Sequence, residues 1–257
     1  MTRALPWLYL AAAFAFIYLP VAVLVLFSFQ GSTLPVPPFD GPSLEWYREV
    51  LGEDDLTEAL VNSLMVALGA SAVAVTLGFL AAYGLARHPL PAQAAMRGLL
   101  IAPLAVSYLI VGLGLLIVFN NLGVGLSLWT AAAGHVVINL PLCFAIIHAS
   151  MGAHQLSAER AARDLGAGEA QVIWLVTVPM LMPAILAAFA LSVTLSWDEF
   201  IIAFLLTRFD VTLPVEIWSL LRSGLSPATN AIGSVVFLVS AVVVLVMEIV
   251  VFGRRRA

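Results

Sequence analysis

Apolar positions dominate six stretches of this chain, and the polar positions gather between them. The stretches are Trp7–Phe29, Leu60–Leu85, Leu99–Phe119, Leu128–Ala149, Met180–Leu206 and Ile232–Phe252. A hydrocarbon layer roughly 30 Å thick is crossed by about 20 helical residues, so each stretch is long enough to span a bilayer. No strand-length alternation competes with them. Backbone surrounded by lipid must satisfy its own hydrogen bonds, which selects helices. The pattern predicts an all-α membrane protein of six transmembrane helices forming a single transmembrane domain over residues 1–257. The first run is longer than the apolar core of a signal peptide and is expected to remain as an uncleaved helix.

Composition agrees: of 257 residues, 62% are hydrophobic and only 10% charged. The net charge of −4 carries no basic excess, which argues against a nucleic-acid partner. Cys143 is the only cysteine, so neither an intrachain disulfide nor a cysteine-based metal cluster is available. No set of catalytic or metal-ligating residues stands out. All 11 basic residues are arginine. A P-loop needs a lysine to reach the β- and γ-phosphates, so nucleotide hydrolysis must come from another chain.

The arginines also set an orientation. Arg3, Arg87, Arg97, Arg160, Arg163 and Arg254–Arg256 fall on one side of the predicted bundle. Arg48, Arg208 and Arg222 fall on the other, beside Asp40, Glu45, Glu53, Asp54 and Asp55. Basic loops stay in the cytoplasm, so both termini are expected there. The outer loop after the first span has proline-rich turns and then a short helix. Pro20, Asn62, Pro103, His135, Asn139 and Pro141 interrupt the spans as kinks and interhelical hydrogen-bonding groups. Glu248, near the cytoplasmic end of the last span, is expected to snorkel to the interface.

One cytoplasmic segment, about residues 150–179, departs from the apolar pattern: SAERAARDLGAGEAQVIWLVTVP, from Ser157 to Pro179. Ser157 is a plausible N-cap. Glu159 and Arg163 stand four apart, acid first, the favourable order for a helical pair. Ala161, Ala162 and Leu165 give a small apolar patch. Gly166 and Gly168 permit a tight turn. A second helix is expected from Glu169 to about Val178, before Pro179 and Pro183 lead into the fifth span. The product is a helix–turn–helix knob projecting from a membrane bundle.

ERAARDLGA followed by VTVP resembles the EAA loop of ABC importer permeases, type I. Ala161, Ala162, Asp164, Leu165, Gly166, Ala167 and Pro179 match that motif. Its glutamate falls on Arg160, Glu159 matches the acidic residue often found before it, and Val178 replaces a leucine. The resemblance implies that this loop docks into a cleft of a cytoplasmic ATPase subunit. SWDEF at Ser196–Phe200, the Leu213-Pro214 pair and RSGLSPATNA at Arg222–Ala231 are similar to the spermidine/putrescine branch of that family. That likeness implies a bacterial inner-membrane permease subunit with four kinds of partner. These are a second permease, two ATPase subunits carrying ATP and Mg, an extracytoplasmic solute-binding protein and a small-molecule substrate, with no cofactor on this chain. The implied cargo is a polyamine; an opine, a quaternary amine, an aminoethylphosphonate or a sugar is the alternative.

Asp198 and Glu199 are expected in the outer part of the fifth span, where charge is costly and signals function. Successive helical positions point about 100° apart, which places Glu199 on the face of Ser192 and Ser196, and Asp198 with Thr194 beside Trp197. With Ser196 and Trp197 they are candidates to line the path of a polycation. Two rivals fit less well. His135-x-x-x-Asn139 superficially resembles an intramembrane protease helix, but Gly69-Ala70-Ser71-Ala72 precedes it and no histidine follows His154. A secondary transporter acting alone would show matched internal repeats, which are not apparent.

Overall fold

In the computed structural model, residues 4–33, 37–52, 54–224 and 226–252 are described. Arg3, Glu53, Leu225, Arg254–Arg256 and the side chain of Glu248 lie outside them. The described residues form helices and no named strand: α1 (Ala4–Phe27), α2 (Glu45–Gly52), α3 (Asp54–Arg87), α4 (Gln93–Ile101), α5 (Tyr108–Asn121), α6 (Leu128–Ser150), α7 (Ala153–Asp164), α8 (Glu169–Val172), α9 (Val178–Trp197), α10 (Ile201–Leu206), α11 (Leu213–Ser223) and α12 (Pro227–Phe252). Five segments are long and apolar enough to cross a membrane: Pro6–Phe27, Asp54–Arg87, Leu128–Ser150, Glu169–Trp197 and Pro227–Val246.

The expected third span is broken. Gln93–Ala105 and Tyr108–Asn121 meet at 104°, and the pair makes a sixth crossing only if counted together. The cause is local: Ala102–Ala105 tightens into a 3₁₀ turn around Pro103, and Val106 (ψ 137°) and Ser107 (ψ 137°) are extended. The expected fifth span is broken as well. Its helix runs unbroken from Glu169 to Trp197, with a π-helical turn at Ile173–Thr177, and Ile201–Leu206 is a separate short helix.

The chain divides into two compact units. One comprises the chain up to Ala59 together with Leu213–Val243. Here the proline-rich loop is held by Gln30, whose Nε2 donates to the Pro38 carbonyl (3.0 Å) and whose carbonyl accepts from Trp46 Nε1 (2.7 Å). The Ser28 and Tyr47 hydroxyls share a hydrogen bond of 2.7 Å. An apolar α1 with exposed Trp7, Tyr9 and Phe16 suits a helix solvated by lipid.

The other unit comprises Leu60–Thr212 with the chain from Val244. Its core, which includes Ala74, Ala82, Phe144, Ile147, Leu181 and Ala188, is built on α3, α6 and α9. Small residues let these helices approach closely, as membrane packing requires. A Cβ on Gly78 would stand 2.9 Å from the Phe144 backbone nitrogen. The short α10 lies against α5 and α6. A Cβ on Gly112 would stand 2.7 Å from Leu205 Cδ1, and one on Gly134 would overlap Ile202.

Candidate coupling loop and intramembrane carboxylates

The knob begins one turn earlier than expected. Ser157 does not cap α7: it lies inside the helix and its hydroxyl donates to the Ala153 carbonyl (3.0 Å). The N-cap is Gly152, whose N–H donates to Gln155 Oε1 (2.9 Å), and Gly168 donates in the same way to Gln171 Oε1 (2.9 Å). Each helix of the knob therefore starts with Gly-x-x-Gln, the glutamine reaching back to an otherwise orphaned donor. That repeated spacing was visible in the sequence.

The turn between the helices closes a Schellman motif. Gly166 N–H donates to Arg163 O (2.9 Å) and Ala167 N–H to Ala162 O (3.0 Å). Gly166 adopts φ 90°, a left-handed conformation open to glycine and costly for other residues.

The expected Glu159–Arg163 pair is not made, because each residue has a better partner. Glu159 is fully buried and accepts two hydrogen bonds from Arg87, from Nε at 2.7 Å and from an η nitrogen at 3.1 Å. The Thr177 hydroxyl donates to the same carboxylate at 2.9 Å. Three elements, the end of α3, the middle of α7 and the π-helical turn, converge on this carboxylate. Arg163 instead forks onto Glu169 (2.7 and 2.9 Å) across the turn. That hydrogen bond holds the Glu169 carboxyl below the ordinary range and pushes the Arg163 guanidinium up.

Burial sorts the motif residues. Glu159 faces inward and Ala162 and Ala167 are half-buried. Arg160, Ala161, Asp164, Leu165, Gly166 and Pro179 are exposed. His154, Ser157, Ala161 and Asp164 form an outward ridge of α7 ending at Leu165, which is 90% exposed. An apolar side chain so placed is a suitable anchor for a partner's pocket.

The two acids expected within the fifth span separate. Asp198 is not helical in the expected sense: it terminates α9 at φ −97°, ψ 5° and is exposed. Glu199 is buried in the break and its side chain caps α10, accepting from Ile201 N–H (2.9 Å), Ile202 N–H (2.8 Å) and Ala203 N–H (3.3 Å). Behind it His135 Nδ1 and Ser196 Oγ lie 2.5 Å apart, and His135 Nε2 is 3.6 Å from Glu199. Ser192 Oγ donates to Ser71 Oγ (2.8 Å). Trp197 is buried. The serine–glutamate stripe thus faces the protein interior, and Asp198 is the carboxylate left accessible. Asn139 is buried one turn from His135, and its amide has no partner among the described residues.

Apolar helices with small-residue crossings, broken at a buried carboxylate and joined by a two-helix knob, have the make-up of a multi-pass helical membrane protein. The chain belongs to the family of binding-protein-dependent transport system inner membrane components, whose sequence profile matches residues 74–256. It is 34% identical over 247 residues to the putrescine transport system permease protein PotI of Escherichia coli K12, covering 90% of this chain and 85% of that one. It is 27% identical over 250 residues to the spermidine/putrescine transport system permease protein PotC of the same organism, covering 96% and 94%. A chain of a bacterial alginate ABC transporter, solved in complex with an alginate pentasaccharide-bound periplasmic protein, shares the fold: TM-score 0.74, 16% identity, 99% and 94% covered. A chain of an amino acid ABC transporter gives a TM-score of 0.63 at 15% identity, 84% and 100% covered.

Proposed function

We propose that this chain is one of two permease subunits of an ATP-driven importer and forms part of the path taken by a polyamine. The observation that carries the coupling role is the knob itself. Its outward ridge is small and ends in exposed Leu165, while its inner face is fixed to the membrane helices through Glu159. On this reading an ATPase dimer, holding ATP and Mg, grips the ridge on the cytoplasmic side. Its closure pulls α7, the pull passes through Glu159 to α3 and the foot of α9, and the path opens outward. A solute-binding protein delivers the cargo there, and hydrolysis restores the inward-facing state. ATP and docking would thus bias one two-state element from its two ends.

The polyamine assignment rests on the named relatives and on charge. The exposed carboxylate of Asp198, at a helix break in an apolar segment, favours a cation over an anion. Labelled putrescine and spermidine uptake, in cells with and without the gene, tests this. Gene-dependent and ATP-dependent uptake is the expected result; gene-independent uptake of both would remove the polyamine cargo.

A further inference from the structure

A second feature of the knob is a basic cavity on its side. On the flank of α7, beside the outward ridge, Leu156, Arg160 and Arg163 follow one another at helical spacing and face a cavity of about 480 Å³. Tyr83 and Arg87 from the end of α3 and His88 just beyond it form another wall, and Glu169 and Ile173 complete the lining. Three guanidiniums and an imidazole therefore surround one small space. Two of the guanidiniums are already neutralised, Arg87 by Glu159 and Arg163 by Glu169. Arg160 makes no ion pair among the described residues. His88 is exposed at the rim, its ring edge-on to Tyr83 at 6.3 Å.

We infer that this cavity binds the phosphate of an anionic phospholipid headgroup, with the Arg160 guanidinium as its cationic contact and the His88 ring as a further hydrogen-bonding contact. Three observations select a lipid over a partner's carboxylate. The wall supplied by α3 brackets Leu85, where the apolar run of a helix long enough to cross a membrane ends, and the end of such a run is where headgroups are expected. Ile173 of the lining leads directly into Trp174 and Leu175, which are 68% and 72% exposed. An exposed tryptophan and leucine at a helix foot suit the membrane interface, where acyl chains continue from the headgroup. The ridge available to a protein partner is formed by other side chains of α7. Basic pockets between helices on the cytoplasmic side are recognised headgroup sites, and that leaflet holds most anionic lipid. A bound lipid would tie the side of the knob to the bilayer and make its movement sensitive to lipid charge.

The test uses the assembled transporter, delipidated in detergent and examined by native mass spectrometry. Phosphatidylglycerol, phosphatidylcholine and inorganic phosphate are added separately. The expected result is retention of phosphatidylglycerol over phosphatidylcholine, weakened about fivefold by Arg160→Gln and largely kept by Arg160→Lys. His88→Gln is expected to weaken it to a smaller extent, with subunit composition unchanged in every variant as the control for folding. Equal retention of the two lipids, or retention indifferent to Arg160→Gln, overturns the proposal. Displacement of the lipid by equimolar inorganic phosphate would reassign the cavity to a soluble anion. None of these results depends on the cargo, so failure here is distinguishable from failure of the polyamine assignment.

Discussion

A carboxylate without exposed surface is tolerated only when its charge and lone pairs are satisfied, and Glu159 meets that condition with Arg87 and Thr177. Removing it leaves a guanidinium that is only 7% exposed without a counter-charge. Glu159→Ala is therefore expected to destabilise the end of the bundle that carries the knob by about 3–5 kcal/mol. Glu159→Gln, which still accepts from Thr177, should cost less. Thermal unfolding of the purified protein measures both, and an unchanged midpoint in Glu159→Ala would contradict the role given to this residue. The pair across the turn behaves differently because Arg163 is partly exposed and Glu169 is more so, which makes their bond weak and salt-sensitive. Glu169 has a lowered pKa when folded. Its stabilising contribution is thus present above the ordinary carboxylate range and lost as pH falls through the lowered value. Proteolysis within residues 165–169 should quicken over that acidic interval, and Glu169→Gln should abolish the pH dependence. Neither partner of Glu159 was legible from the sequence. Arg87 stands 72 positions away, and local spacing favours Arg163, which is diverted to Glu169 by the turn at Gly166.

The elements were legible to different degrees, for a physical reason in each case. Long apolar runs announce helices because lipid leaves the backbone no alternative, and α6 runs over nearly the expected stretch, whereas α3 starts at Asp54, ahead of the expected Leu60. Breaks within such runs carry a weaker signature. Pro103 marked the first break without revealing its angle, since a proline can equally kink a continuous helix. The second break has no proline or glycine. It exists because Glu199 offers the backbone of α10 a set of acceptors, and because Gly112 and Gly134 leave room for that short helix. Gly134→Val would drive methyl groups into Ile202 and Leu206, and about 1–3 kcal/mol of lost stability is expected. The lower unfolding midpoint should be accompanied by easier proteolysis around residues 198–207, whereas unaltered cleavage would argue against the packing described. At the knob, Gly166→Val meets no neighbour within 4 Å but must adopt φ 90°, a cost of roughly 1–2 kcal/mol or more. Such a variant should remain in the membrane yet lose ATP-coupled uptake, because the turn that presents Leu165 is reshaped. Normal uptake would remove the coupling assignment from this loop.

For the whole molecule the two adjacent acids make the sharpest contrast. A sequence that reads Asp-Glu within an apolar run suggests one polar site, whereas the structure gives the residues opposite environments. Glu199 spends its oxygens on the backbone of α10 and lies near His135, so it organises the break. Asp198 is exposed beside that break with its charge uncommitted to any hydrogen bond among those described. If a polyamine passes here, Asp198→Asn should lower uptake about tenfold or more, since a hydrogen bond to a charged partner contributes about 1.5–3 kcal/mol. The variant should still assemble and unfold at an unaltered midpoint. Glu199→Gln should show the reverse order of effects: a lower unfolding midpoint first, and reduced uptake only as far as assembly is impaired. Measuring uptake and unfolding side by side separates the two roles. Equal losses of both in the two variants would mean that the pair acts as one structural unit, and the cation path would then have to be sought elsewhere along the helices.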